Sequence, residues 1–506
     1  MPIPEPPDVS YWDASPALRE LLSAKLNRAD LDWAAPQLAA MGDAAARTVA
    51  PLAAIADRES PRLVTHDPRG NRVDRIDYHP SYREMQRLAY GSGMVGMKYD
   101  ETTLAAHPAA VQLTGFALGY LFAMAEMGLY CPVCMTDGVA RILTLHGGRE
   151  RFGATIDRLA STRLESLWTG AMFLTEKTGG SDVGANETIA RRDASGGWSL
   201  TGTKWFCSNV DAGAILATAR PEGGAAGTKG LRTWLILREQ AQGLTIDRIK
   251  EKLGVRSMPT GEVMLDSVPA EEVGDFHSIA EMLNLSRLYN SVAAIAVMGR
   301  AILEARHYIE RRRAFGKPVI EHALARETLL DAEAEQLGAL YLTFETVELL
   351  GKADRGDERA ARERRFLTPV VKAVTGKLAV PVASECMELI GGNAYIEESP
   401  LPRLLRDAQV LPIWEGTTNI LALDALRAAK KDAGHLVTLE RIAKVLPGEA
   451  MALEDAFSTI DERQARGWMD NFARALEIAL LREAGDDVAA ERLQRRPLGL
   501  VPGAFV

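Results

Sequence analysis

The chain has 506 residues, 47% hydrophobic and 25% charged, which is the balance of a globular protein with a large buried core. A net charge of -9 and a pI near 5.6 argue against a broad nucleic-acid or anionic-membrane footprint. At about 150 residues per domain, the length suggests about three domains.

The opening "MPIPEPPDVSYWDASPALRE" lacks the cationic-then-apolar order of a secretory signal. No uninterrupted apolar run reaches the roughly 18 residues of a membrane span. Four cysteines cannot frame a chain this long with disulfides. A reduced, cytoplasmic protein without membrane association is expected.

Residues 1–60, rich in proline at first, read as an N-terminal arm with short helices. Residues 61–168 form a helical domain, with Ala/Leu/Met-rich stretches such as "VQLTGFALGYLFAMAEMGLY". Within it, "CPVC" (Cys131–Cys134) has neither a second CxxC nor an HxxxH, so free thiols in a helix are expected rather than a metal or redox site.

Residues 169–278 change texture. "WSLTGTKWFCSNV", "AILATAR" and "LRTWLILRE" are β-branched and aromatic runs separated by the turn chemistry of "DASGG" and "PEGGAAG". A middle β domain is predicted there. Residues 279–430 return to long helices, of which "LSRLYNSVAAIAVMGRAILEARHYIERRRAFGKP" is the clearest. Its cationic end suits the helix dipole, Gly316 suits a C-terminal cap, and Pro318 stops continuation. A helical extension over 431–506 ends in "RRPLGLVPGAFV".

Several motifs offer chemistry. "MFLTEKTGGSDVGANET" opens the β domain with hydroxyls at Thr175 and Ser181 and a Gly-Gly pair that lets backbone approach a ligand. "GTKWFCSN" can present one aromatic and Ser208 on a single strand face. "ERRRAFGK" is either a solvated helix end or a guanidinium clamp for a diphosphate. In "IWEGTTNI", Glu415 stands between Trp414 and a Gly-Thr-Thr turn. Thr417, Thr418 and Asn419 there suit the capping of a following helix.

In combination and order, "LTEKTGGSD", "KWFCSN", "RRRAFGK", "IGGNAY" and "RDAQVLPIWEGTTNI" resemble the acyl-CoA dehydrogenase flavoprotein family over residues 80–430. "PVCMTDGVARIL" and "YIEESPLPRLLRDAQVLPIWEG", with extra sequence at both ends, resemble its AidB-like branch. The resemblance implies a mainly α fold. It has an N-terminal helical domain, a middle β-barrel and a C-terminal four-helix bundle, with FAD in a cleft between barrel and bundle and assembly as a homotetramer or homodimer.

Residue by residue, it implies that Met172, Leu174 and Thr175 line the flavin ring and that Phe206 and Ser208 face it. Arg312, Phe315, Gly391 and Gly392 are implied to contact the FAD of a neighbouring subunit, and Thr417 and Asn419 to hold the dinucleotide. Ser181, Arg287 and Gly416 fall where the family meets its acyl-CoA substrate. Glu415 falls on the general base that removes the α-proton of the thioester while flavin N5 takes the β-hydrogen as hydride. An electron-transfer flavoprotein is the expected acceptor, and no metal is expected.

Three departures bear on these implications. Glu388 stands where the family commonly has glutamine, Asn284 replaces an aspartate often found before Arg287, and Lys177–Thr178 replaces Pro-Gly. Two alternatives therefore stay open. One is a flavoprotein of this fold acting on a substrate other than a CoA thioester, although nitroalkane oxidases, the precedent, use aspartate as base. The other is a DNA-associated protective protein, against which the charge-balanced C-terminal extension argues.

Overall fold

A computed structural model describes residues 7–192 and 196–495. The chain end beyond Arg495 and most of the "DASGG" turn lie outside the described residues. Two compact units emerge. One takes the chain up to Thr48, Ala106–Met127 and everything from Arg287 onward; the other takes Val49–Ala105 and Gly128–Ser286.

The second unit is built on a sheet. A hairpin of β1 (Arg62–His66) and β2 (Arg72–Asp77) precedes it, in a stretch expected to be helical. The sheet proper comprises β3 (Gly170–Phe173), β4 (Ile189–Arg192), β5 (Trp198–Ser208), β6 (Ala214–Pro221), β7 (Arg232–Leu237), β8 (Leu244–Ile249) and β9 (Thr260–Asp275). Its pairings run β6–β4–β5–β9–β7 and return from β7 to β6, so the sheet closes on itself, with β3 beside β6 and β8 beside β9. Phe173, Leu200, Ile215, Trp234, Ile246 and Val263 fill its interior. Closure leaves inward and outward side chains alternating along β5 and β9, while β6 is buried along most of its length.

β3 starts at a contact that only glycine permits. A Cβ at Gly170 would lie 2.7 Å from the Met135 carbonyl of the helix Tyr130–His146, and Gly170 N–H donates to Thr136 Oγ1 at 2.9 Å. The same helix carries Cys131 and Cys134 as free thiols. Just past β3, Glu176 and Lys204 form a buried ion pair at 2.6 Å, 4% and 0% exposed. Thr188 Oγ1 also donates to Glu176, and Lys204 donates to the Thr218 carbonyl at 2.7 Å. This pair stitches the loop after β3 to the middle of β5.

The first unit is helical. Phe276–Arg311, Ala323–Asp354, Glu358–Ile390 and Thr418–Asp432 are the long helices of the expected bundle, the first of them beginning within the sheet-bearing unit. The N-terminal stretch carries helices whose apolar faces are packed: Leu18, Leu22, Ala34 and Leu38 of Pro16–Lys25 and Arg28–Ala44 are wholly buried. Two sequence expectations need correction. The long helix ends at Arg311, not at Gly316. Arg313–Ala314 pairs with Lys317–Pro318 in a two-residue hairpin whose turn, Phe315 and Gly316, takes φ of 51° and 84°.

The second correction concerns apolar length. Arg28–Arg58, Phe276–Arg311 and Glu358–Ile390 each contain an 18-residue window apolar enough to cross a membrane, with mean hydropathy of 1.2, 1.2 and 1.3. Protein buries 89% and 83% of the latter two windows, whose apolarity is that of bundle cores; for Arg28–Arg58 the share is 33%.

The extension is helical through Arg495, and its helix Ala465–Glu483 packs on Ala323–Asp354. Between them lies a buried cluster: Arg474 pairs with Glu335 at 2.7 Å and with Glu477 at 3.2 Å. Burial first, and then the neighbouring Glu335 and Asp470, push the Glu477 carboxyl up to about 7 from an ordinary 4.5 despite Arg474. A carboxyl raised on folding favours the protonated native state. Its stabilisation is complete below about pH 4.5 and is lost as pH rises to about 7. Glu477→Gln should therefore flatten the fall in stability between pH 5 and 8. Denaturant melts at both pH values would check this.

A candidate active site around Glu415

The loop from Gln409 to Gly416 joins the short helix Leu401–Ala408 to Thr418–Asp432. Two contacts fix its path. A Cβ at Gly376, on the helix Glu358–Ile390, would sit 2.9 Å from the Leu411 carbonyl, so the loop lies directly on that helix. Trp414 Nε1 donates to Asn290 Oδ1 of the helix Phe276–Arg311. At the end of the loop the backbone turns left-handed twice, at Glu415 (φ 56°) and Gly416 (φ 104°). A non-glycine residue in that region carries about 1–2 kcal/mol of backbone strain. The strain turns the Glu415 side chain inward.

Two cations touch this turn, and a third braces one of them through Asp424. Arg287 Nε donates to the Glu415 carbonyl at 3.2 Å, and Arg287 Nη1 pairs with Asp424 at 2.7 Å. Arg365 holds the other Asp424 oxygen at 2.6 Å. Lys372, wholly buried, donates to the Gly416 carbonyl at 2.6 Å. The Glu415 carboxylate itself is left with a buried oxygen, Oε2, that has no hydrogen-bond partner. Burial pushes its pKa up, with Lys372 and Arg287 opposing. The result is a desolvated, under-satisfied carboxyl with cations close by, which is how a stronger carboxylate base is made.

Of the residues expected to bind ligands, Arg287, Glu415 and Gly416 come together here. A second group gathers at the far end of the helix Glu358–Ile390. Gly391 caps it with φ 81°, and Arg312 Nη1 donates to the Ile390 carbonyl at 3.1 Å while its Nε stays buried and unpartnered. Tyr308 and Asn393 complete the group through the Tyr308 hydroxyl. Nothing would obstruct a Cβ at Gly392. Thr417 is the N-cap of Thr418–Asp432, but no side chain closes that cap. Both Thr417 and Asn419 are exposed. Phe315 stands 97% exposed on its hairpin turn.

In the sheet-bearing unit, Met172 and Leu174 lead from β3 into Thr175, whose carbonyl accepts from Trp205 N–H at 2.8 Å. Phe206 is exposed, Cys207 buried and Ser208 half-buried, so Phe206 and Ser208 share the outer face of β5 as the alternation suggested. Ser208 Oγ lies 3.2 Å from Thr260 Oγ1. Lys250 Nζ sits 3.5 Å above the Trp205 ring. Ser181 is exposed in the loop that follows Gly179–Gly180.

Residues 276–430 match the acyl-CoA dehydrogenase C-terminal domain, 171–268 the acyl-CoA dehydrogenase middle domain, and 3–166 the adaptive response protein AidB N-terminal domain. The chain is 36% identical over 430 residues to acyl-CoA dehydrogenase family member 11 of Caenorhabditis elegans, covering 81% of this chain and 69% of that one. The chain belongs to the acyl-CoA dehydrogenase family. It is also 31% identical to the putative acyl-CoA dehydrogenase AidB of Escherichia coli, over 76% of this chain and 72% of that one. The solved structure of Caenorhabditis elegans ACDH-11 in complex with C11-CoA superposes with a TM-score of 0.92 at 30% identity, covering 98% of this chain and 93% of that one.

For an oxidoreductase of the acyl-CoA dehydrogenase family, sequence reading overlooked the supports of the site. Lys372 is the lone charge in "FLTPVVKAVTG" and Asp424 the lone acid in "ILALDAL". A single charge inside an apolar helix is the signal that finds such residues, because burial without a purpose is unfavourable.

Proposed function

We propose that this protein is an FAD-dependent acyl-CoA dehydrogenase that removes the α-proton of an acyl-CoA thioester with Glu415. The observation that carries this reading is the buried, unpartnered Glu415 Oε2 on a strained turn, with its pKa raised by burial. A carboxylate so placed loses its charge on taking a proton, so proton uptake relieves its desolvation. The strain at Glu415, the Gly376 contact and the Trp414–Asn290 bond hold it at one orientation. Arg287 and Lys372 grip the two carbonyls on either side of the turn and keep the base from recoiling.

The residues present fit FAD. In the bundle, Arg312 offers a buried, unpartnered Nε, and Gly391 and Gly392 leave room for phosphate or ribose oxygens. In the sheet-bearing unit, the outer face of β5 presents an exposed aromatic at Phe206 and the Ser208 hydroxyl, beside Met172, Leu174 and Thr175. Bound flavin supplies the acceptor for the β-hydrogen, and an electron-transfer flavoprotein then carries the electrons away. In the bundle, Gly416 beside Glu415 contributes to the substrate side. Phe315, fully in solvent on its turn, is suited to cover the cofactor of a second copy in a dimer or tetramer.

Arg312→Ala should lower FAD occupancy of the purified protein, since a charge-assisted hydrogen bond contributes about 1.5–3 kcal/mol. Full occupancy in the variant, read from the flavin-to-protein absorbance ratio, would count against a phosphate-binding role. The reading as a whole is tested by anaerobic titration of the FAD-loaded protein with straight-chain and branched acyl-CoAs. Bleaching of the flavin band by at least one of them is expected. No bleaching across the panel would overturn the thioester as substrate.

A further inference from the structure

Lys372 is hard to explain as packing. It sits in the middle of the helix Glu358–Ile390, wholly buried, between Val371 and Ala373, which are also buried. Its ammonium offers three donors, yet one acceptor, the Gly416 carbonyl, is all that reaches it among the described residues. No carboxylate lies within ion-pair distance of it among those residues. A methionine would fill the same volume without stranding a charge. The charged groups facing it are Glu415 and Arg287, and Arg287 is itself neutralised by Asp424, which Arg365 also binds. Glu415 is therefore the acid that faces the lysine.

We propose that Lys372 is a positioning residue for Glu415, anchoring the turn through the Gly416 carbonyl and keeping the Glu415 carboxylate available as an anion. The inference rests on Glu415 serving as the base. The electrostatics run the same way: Lys372 is lowered to about 7 by burial, with Glu415 acting in the opposite direction. The two groups titrate against one another, each favouring the charged form of the other. As the α-proton moves to Glu415, the cation that favoured the anion loses its counter-charge. Lys372 thus opposes the rise that burial imposes on the Glu415 carboxyl.

The test uses two substitutions in the full-length, FAD-loaded protein. Lys372→Met removes both charge and anchor, whereas Lys372→Gln keeps a donor for the Gly416 carbonyl and removes only the charge. Two readouts are taken. One is the pH dependence of single-turnover flavin reduction by an acyl-CoA. The other is the ionisation of Glu415 itself, from pH-difference infrared spectra of its carboxyl band with Glu415→Gln as the blank.

Both variants should raise the pH at which Glu415 ionises by about one unit or more, the usual effect of removing an opposite charge nearby. The acid limb of the rate profile should move with it, giving about a tenfold loss below that limb and recovery at high pH. An unshifted carboxyl band in both variants would overturn the proposal, as would a glutamine variant indistinguishable from wild type. If no acyl-CoA reduces the wild-type flavin, the functional reading fails instead. The infrared titration still decides whether Lys372 governs Glu415.

Discussion

Glu415→Gln is expected to slow flavin reduction by substrate by roughly 100-fold or more, the scale that general-base catalysis contributes, while FAD stays bound and the fold intact. The amide matches the carboxylate in size and can occupy the same left-handed turn, so the contacts of Arg287 and Lys372 with the flanking carbonyls survive. What it lacks is the capacity to accept a proton. Substrate affinity should hold or improve, because a neutral amide is less unfavourable than an anion where Oε2 has no partner. Single-turnover reduction with an acyl-CoA active on the wild type is the measurement. A rate close to wild type would move the base to another side chain.

Lys204→Met should have the largest effect on stability. The Glu176–Lys204 pair is almost wholly buried, and removing one partner strands the other charge at a cost of about 3–5 kcal/mol. Glu176 would keep its bonds from Thr188 and from the Glu187 amide, which soften the loss without neutralising the charge. The expected outcome is a fall in the melting temperature of the sheet-bearing unit on the order of 10 °C. The double variant Glu176→Gln, Lys204→Met should recover much of that loss, since no buried charge then remains unpaired. The single variant should also hold FAD less tightly, because the pair ties the loop bearing Thr175 and Ser181 to β5. A double variant no more stable than Lys204→Met would show that the salt bridge is not the source of the effect.

The helix–sheet–helix order could be read from the sequence because hydrophobic periodicity changes sharply near residues 170 and 276. The long bundle helices and the runs that became β5, β6 and β7 follow that pattern. The β1–β2 hairpin could not be read. "RVDRID" is mostly charged, and Ile76 is its single buried side chain, too little apolar content to mark a strand in the sequence. The end of the long helix was misplaced for a related reason. "RRRAFGKP" has the composition of a capped helix, and only the pairing of Arg313 with Pro318 reveals the hairpin.

The Glu415 region shows the same division. The motif with Glu415 and Gly416 was visible because its residues are contiguous. The support from Lys372 and Asn290 was not, because they stand on two helices distant in sequence, and Asp424, though near, shows its role only through its bond to Arg287.

The left-handed backbone at Glu415 also has a bearing on how this position changes over evolutionary time. With φ at 56°, glycine would be more comfortable here than glutamate by about 1 kcal/mol. Removing the carboxyl would also abolish a buried oxygen without a partner. Folding alone thus pushes this codon away from glutamate, and the proposed proton abstraction is what would hold it there. In a lineage that keeps the fold but abandons that chemistry, drift should settle on glycine or asparagine at this position before Phe206 and Ser208 of β5 begin to change.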